Sequence, residues 1–228
     1  MKRSSLIILL SIGVITQGGA LASPATGTVS GVVPIPIRPA IRIPVEKYAG
    51  SISGKVGTAP PLIAGVWLEK SGLSAPATPQ VVSFSQQKYQ FNKSLLVIPK
   101  GTTVEFPNED ADYHNIFSVS KTKKFEVGRY KKDRTPVPNV TFDTAGFVRL
   151  QCEIHNHMNA VVLVVDSPYF STTDTTGKFI LSGVPAGTYT LRAQLDEKTQ
   201  WSSVIQVLSG QTVSATFTQS KLASASPP

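Results

Sequence analysis

Phe147-Val148-Arg149-Leu150-Gln151-Cys152-Glu153-Ile154-His155-Asn156-His157-Met158-Asn159-Ala160-Val161-Val162-Leu163-Val164-Val165 reads as strand, tight loop, strand. Two apolar runs, Phe147–Gln151 and Ala160–Val165, flank seven residues that concentrate metal-binding chemistry. The chain has one cysteine, three histidines and two methionines, and Met1 falls in a leader-like segment. Of the remaining five soft or borderline donors, Cys152, His155, His157 and Met158 lie in this loop, and His114 lies upstream. A thiolate and two imidazoles with a thioether nearby form the ligand set of a blue copper electron-transfer centre. Such a set holds an ion between the geometries that its two oxidation states prefer. The loop can present Cys152, His155 and Met158 to one point, and His114, from another strand end, closes the site.

Other readings of the cluster remain. Zinc could occupy the same ligands, although copper binds more tightly by intrinsic affinity. Cys152 could be a small buried core residue. A cysteine–histidine nucleophile would leave Met158 without a role. The single cysteine excludes an internal disulfide, a four-cysteine iron–sulfur cluster, a two-cysteine haem attachment and a multi-cysteine zinc site.

Around the loop the pattern is all-β. Short runs rich in Val, Ile, Phe, Tyr and Thr end at Gly, Pro, Asn or Asp, among them Val81–Ser85, Leu95–Ile98, Thr103–Phe106, Asn115–Ser118, Val140–Phe142, Lys178–Leu181, Thr188–Ala193, Val204–Leu208 and Thr212–Phe217. No long amphipathic helix interrupts them, and such spacing fits sandwiches or barrels.

Residues 1–22 read as a secretory signal. Lys2 and Arg3 precede an apolar run, Leu6–Ile15, and Ala20-Leu21-Ala22 offers a small-x-small cleavage site. The run is shorter than the roughly 20 residues of a membrane span. A periplasmic or otherwise exported chain, without a span in its mature form, is expected. Residues 23–47, with Pro34, Pro36, Pro39 and Pro44, read as a proline-rich spacer, and 220–228 as a flexible tail. The net charge is +8; without Lys2 and Arg3, 20 basic residues face 14 acidic ones, a net +6. Lys121, Lys123, Lys124, Arg129, Lys131, Lys132 and Arg134 cluster, offset by Glu126 and Asp133. The cluster is either a solvated loop or a docking face for an acidic protein. Nucleic acid is a poor partner for an exported chain with few aromatics in that stretch.

Over residues 80–166 the chain resembles the cupredoxins, most closely the amicyanin and plastocyanin-like group. The resemblance rests on Val81-Val82-Ser83-Phe84, on Tyr89-Gln90-Phe91, and on Gly101-Thr102-Thr103-Val104-Glu105-Phe106-Pro107-Asn108, which follows a G-x-T-V-x-F-x-N pattern. His114-Asn115, Phe142 with Gly146, and the short C-x₂-H-x₂-M loop complete it. It implies a Greek-key β-sandwich over 79–166 holding one type 1 copper ion. His114, Cys152 and His155 would be ligands and Met158 the weak axial donor. The Asn115 backbone N–H would point at the cysteine sulfur while its side chain ties the ligand loops together. It also implies that the protein is not an enzyme but carries single electrons between redox partners, such as a c-type cytochrome or a dehydrogenase. Copper storage, delivery or sensing is the alternative. The sequence departs from the pattern at Asn156, often proline in amicyanin-like loops, and at His157, an extra imidazole that reads as a surface residue or as a second weak metal contact.

Thr173-Asp174-Thr175-Thr176-Gly177-Lys178-Phe179 and Gly183-Val184-Pro185-Ala186-Gly187-Thr188-Tyr189-Thr190-Leu191 resemble the carboxypeptidase-regulatory or transthyretin-like β-sandwich. Ser53-Gly54-Lys55-Val56 and Ala64–Leu68 resemble its opening strands. A discontinuous small sandwich over 48–78 and 167–219 is therefore expected, with the copper domain inserted.

Overall fold

The computed structural model describes residues 25–36, 58–76, 78 and 80–221. Every regular element among them is a β-strand. In chain order these begin with β1 (Thr26–Val32), β2 (Gly65–Glu69), β3 (Val81–Ser83), β4 (Gln86–Gln87), β5 (Gln90–Phe91) and β6 (Leu95–Pro99). Next come β7 (Thr102–Glu105), β8 (Phe117–Val119), β9 (Lys124–Glu126), β10 (Asn139–Phe142), β11 (Gly146–Gln151) and β12 (Asn159–Val165). The last are β13 (Phe170–Thr172), β14 (Lys178–Pro185), β15 (Gly187–Gln194), β16 (Thr199–Val207), β17 (Thr212–Ala215) and β18 (Thr218–Lys221).

Two sheets flank one core. The three-stranded sheet runs β10-β7-β3 and the five-stranded sheet β6-β12-β11-β8-β9. Between them lie Phe84, Phe91, Ile98, Val104, Phe106, Ile116, Phe142, Val148, Leu150 and Val162, all nearly or fully buried. Cys152 and Met158 belong to the same core, so the ligand loop is an extension of the hydrophobic interior.

A second pair of sheets, β14-β1-β17 and β13-β2-β15-β16-β18, encloses a separate core built on Val29, Val66, Leu68, Phe179, Leu181, Leu191, Trp201 and Val207. The spacer expected over 23–47 contains strand β1, which pairs antiparallel with β14 and parallel with β17. Pro24 precedes the first paired residue of β1 and the next proline, Pro34, follows the last, so none removes a donor from the ladder. Gly31 makes the fit possible, because a Cβ there would sit 2.6 Å from the Ala215 carbonyl oxygen and 2.8 Å from the Phe179 ring. The opening strand assigned to Ser53–Val56 lies outside the described residues. At the other end β18 pairs Ser220 with Gln200 and Lys221 with Thr199, so the expected tail over 220–228 starts with paired strand.

Strand β12 joins the two halves. Ala160, Val162 and Val164 face the first core, while Leu163 and Val165 pack with Leu95 and Val97 against Ile63, Trp67 and Phe170. Burial on both faces accounts for a run without polar alternation. The approach is close at Gly65 on β2, where a Cβ would lie 2.4 Å from Leu163 Cδ2 and 2.9 Å from Val97 Cγ2.

That contact gives a double-mutant test. Leu163→Ala should cost about 2–5 kcal/mol through the cavity it leaves. Gly65→Ala should cost about 1–3 kcal/mol by overpacking. In the double variant the new methyl enters the vacated space, so denaturant unfolding should show less loss than the two single costs together. Strict additivity would show that the two sites do not touch.

Candidate metal centre

Cys152 follows the end of β11, and the loop closes back on itself before β12. The Met158 N–H donates to the His155 carbonyl at 2.8 Å, and the Cys152 N–H donates to the Met158 carbonyl at 3.3 Å. These bonds fold Cys152, His155 and Met158 into one tight turn. His114 comes from the connection between β7 and β8. Its N–H donates to the Tyr130 carbonyl at 3.0 Å, and the Tyr130 N–H donates to the His114 carbonyl at 2.8 Å.

The structure brings His114, Cys152 and His155 together with their donor atoms within 4.8 Å of one another. The two Nδ1 atoms are 3.0 Å apart, and Cys152 Sγ is 4.0 Å from that of His114 and 3.8 Å from that of His155. A point in the plane of these atoms lies ~2.1 Å from all three, within metal–nitrogen and metal–sulfur bond lengths of about 2.0–2.3 Å. Three converging lone-pair donors need a cation between them, either a proton or a metal ion. The residues fit a metal ion. His114, Asn115 and Met158 are fully buried, and Cys152 and His155 are 3 % exposed. Met158 lies in the loop and in the same core.

The first histidine is oriented by a carboxylate. His114 Nε2 is 2.9 Å from Asp110 Oδ2. A carboxylate can only accept, so Nε2 carries hydrogen and Nδ1 is left to face the cluster. Asp110 also accepts the N–H groups of Lys88 at 2.7 Å and Tyr89 at 2.8 Å, and donates its own N–H to Asn108 Oδ1 at 2.8 Å. Burial pushes the Asp110 carboxyl up, but His114 and the two N–H donors outweigh it and hold it below the usual carboxylate value. Asn108 closes the pattern Gly101–Asn108. Its Nδ2 donates to the carbonyls of Asp112 at 2.9 Å and Tyr130 at 3.0 Å, pinning the segment that delivers His114.

Asn115 bridges the two ligand segments. Its Oδ1 accepts the Glu153 N–H at 2.8 Å, and its backbone N–H is directed at the Cys152 sulfur. Gln86 supports it from below: Nε2 donates to the Asn115 carbonyl at 3.4 Å, and Oε1 accepts the Tyr130 hydroxyl at 2.9 Å. His157 is half-buried rather than a surface residue. Its Nε2 is 2.9 Å from the Tyr89 carbonyl, so that nitrogen carries hydrogen and is committed to the backbone.

Tyr89 covers the histidines. Its ring centroid is 5.7 Å from that of His114 and 5.3 Å from that of His155, edge-on in both cases. It sits at the turn between β4 and β5, where Lys88 and Tyr89 have φ of 54° and 58°. Side chains in that region cost about 1–2 kcal/mol per residue, which the two N–H bonds to Asp110 offset. The sequence reading missed Asp110, Tyr89, Gln86 and Tyr130. An acidic run, Glu109-Asp110-Ala111-Asp112, beside His114 was a usable signal for Asp110; no local signal marked Tyr89.

The family model of the carboxypeptidase regulatory-like domain matches residues 156–220, in agreement with the resemblance read from Thr173–Phe179 and Gly183–Leu191. The match starts inside the ligand loop and crosses β12, which the structure places beside β6 and β11. A search of curated proteins finds no match. Among solved structures the chain is similar to a copper-containing nitrite reductase from Thermus scotoductus SA-01, at 25% identity and a TM-score of 0.36, over 41% of this chain and 25% of that one. It is similar to amicyanin from Paracoccus versutus, at 22% identity and a TM-score of 0.34, over 44% and 97%. A purple cupredoxin from Nitrosopumilus maritimus aligns at 22% identity and a TM-score of 0.31, over 38% and 99%. The chain thus spans a quarter of the reductase's length.

The electrostatics of the cluster can be titrated. Burial pushes the Cys152 thiol up, but His114, His155 and the backbone N–H groups of Asn115 and His155 outweigh it and bring the pKa down to about 6. Burial pushes His114 down, but Asp110 and Cys152 raise it overall. In the metal-free protein the ultraviolet absorbance of the thiolate should therefore appear with a midpoint near pH 6, not near the ordinary 9.0. The depressed value also ties the thiolate's contribution to stability to higher pH: full above 9.0 and lost as pH falls through about 6. Titration near 9.0 would show that the imidazoles do not reach the sulfur.

Proposed function

We propose that this chain binds one copper ion in a type 1 centre and carries single electrons between larger redox proteins. The observation that carries the reading is the buried triangle of two imidazole Nδ1 atoms and one cysteine sulfur. His114, Cys152 and His155 would hold the ion, with Met158 as the weak axial donor. One-electron cycling is the chemistry that copper supplies when bound. The protein's own part is to fix the donors. Asp110 sets the His114 tautomer, Asn115 locks one ligand segment to the other, and the apolar core excludes water. Little then has to move when charge changes. A thioether in the loop favours copper over zinc, because zinc sites draw on Cys, His and carboxylate ligands, whereas His₂Cys with a weak axial Met is the blue-copper set. Ligands this deeply buried suit a resident ion better than one to be handed on.

His155 links the buried cluster to the outside. It lines a surface basin of about 540 Å³ with Asp112, Tyr113, Arg129 and Ile154. The exposed basic residues Lys121, Lys124, Lys131, Lys132 and Arg134 lie along the segment that includes Arg129. Arg129 pairs with Glu153 at 2.6 Å, and Lys131 lies over the Tyr113 ring at 4.8 Å. This supports an acidic redox partner, such as a c-type cytochrome or a dehydrogenase, meeting the protein at this face. The leader-like sequence of residues 1–22 supports a periplasmic or otherwise exported location; those residues lie outside the described ones.

Copper titration tests the reading. One equivalent of Cu²⁺ should give an intense visible thiolate-to-copper band, and Cys152→Ser should abolish it. His155→Ala should lose the colour while His157→Ala retains it, since His157 Nε2–H is committed to the Tyr89 carbonyl. Stoichiometric copper without colour would refute a type 1 centre. Electron exchange with an acidic partner should slow as salt rises, because screening acts over about 8–10 Å; a salt-independent rate would point to apolar docking.

A further inference from the structure

The β4–β5 hairpin is fastened to the metal cluster at four points from two segments. Asp110 takes the N–H groups of Lys88 and Tyr89 at 2.7 and 2.8 Å. The Tyr89 hydroxyl donates to Asp112. The Tyr89 carbonyl accepts His157 Nε2–H at 2.9 Å. The turn is held in a left-handed conformation by two residues that are not glycine, and strain of this kind persists only where the surroundings impose it. What it achieves is the position of one ring. Tyr89, 3 % exposed, stands edge-on to both histidines. Its anchors are the segments that carry the ligands: Asp110 binds His114, Asp112 lies on the same connection, and His157 sits in the cysteine loop. A side chain needed only to fill the core would not require its hydroxyl, its N–H and its carbonyl all to be tied to these segments.

We propose that Tyr89 closes the metal centre against ligands from solution, so that small anions and thiol reagents are excluded and only electrons pass. The proposal deepens the copper reading and rests on it for the metal-loaded protein. It separates this chain from a copper site that binds a substrate, which needs an open coordination position. Asp112 also lines the surface basin beside His155, so the tyrosine hydroxyl is anchored at the wall where a small anion would enter.

Two measurements on the full chain test it. The first uses metal-free protein at a pH where Cys152 is ionised in every variant, and follows its alkylation by iodoacetamide. Wild type and Tyr89→Phe should react slowly, because both keep the ring. Tyr89→Ala should react roughly tenfold faster or more, with cooperative unfolding retained. If Tyr89→Ala does not fold cooperatively, Tyr89→Leu carries the test, because it removes the ring while keeping apolar volume. A faster rate than wild type supports the proposal, and the wild-type rate overturns it. The second adds azide to the Cu²⁺-loaded protein. The visible spectrum of wild type and Tyr89→Phe should stay unchanged, while Tyr89→Ala should gain an anion-to-copper band that saturates. Azide altering wild type, or leaving Tyr89→Ala unaltered, overturns the proposal. A loaded protein with no thiolate-to-copper band would instead defeat the copper reading, and alkylation would still decide the role of Tyr89.

Discussion

A cysteine sulfur held as a thiolate inside an apolar core is the constraint on which the rest of this structure depends. A buried charge is costly unless donors surround it. Cys152 obtains them from the two imidazoles and from the backbone N–H groups of Asn115 and His155. Each donor then has to be held in place. Asp110 and Asn108 hold His114, the turn between His155 and Met158 holds His155, and Gln86 and Glu153 hold Asn115. The hydrogen bonds around the cluster therefore form a graded shell in which every step outward fixes the step inside it. Removing an outer member such as Asp110 would free the ring of His114 without touching the sulfur. The proposed electron transfer depends on this property, since donors that cannot relax keep the energy of reorganisation low.

The ligand loop also organises the fold. In β12 both faces are apolar, so alternation between core and solvent does not set the register. The loop does: Gln151 pairs with Asn159, and the ladder runs from there to Gly146 and Val164. The same strand presents Leu163 and Val165 to the second half of the molecule. The glycine at position 65 allows β2 to lie directly on it. The metal loop is thus anchored at its base between two hydrophobic cores, and a change in loop length would disturb both.

Three of the four proposed ligand positions were legible because they are adjacent in sequence. His114 was legible because the glycine-led strand ending at Asn108 sets its place. The all-β class followed from short apolar runs punctuated by turn residues. Strand β1 was not legible, for a physical reason. Ser30-Gly31-Val32 and Ser53-Gly54-Lys55-Val56 present the same small-residue pattern, and the prolines from Pro34 onward suggested that the earlier stretch was extended and unpaired. Pairing with β14 and β17, and the fit of Gly31 against Phe179 and Ala215, show the earlier stretch to be strand. Asp110 and Tyr89 were hidden differently. Their roles depend on a hairpin meeting a distant connection, and neither residue type announces that meeting locally. Met158 shows what adjacency can deliver: loop spacing places it in the core beside Cys152, where it is fully buried.

X-ray absorption at the copper edge of the stoichiometrically loaded protein tests the central claim most directly, because it reads the atoms bound to the ion. The expected first shell has one sulfur and two nitrogens at about 2.0–2.3 Å, with the sulfur lost in Cys152→Ser. A shell of nitrogen and oxygen without sulfur would contradict it, since the ion would then lie outside the triangle formed by His114, Cys152 and His155.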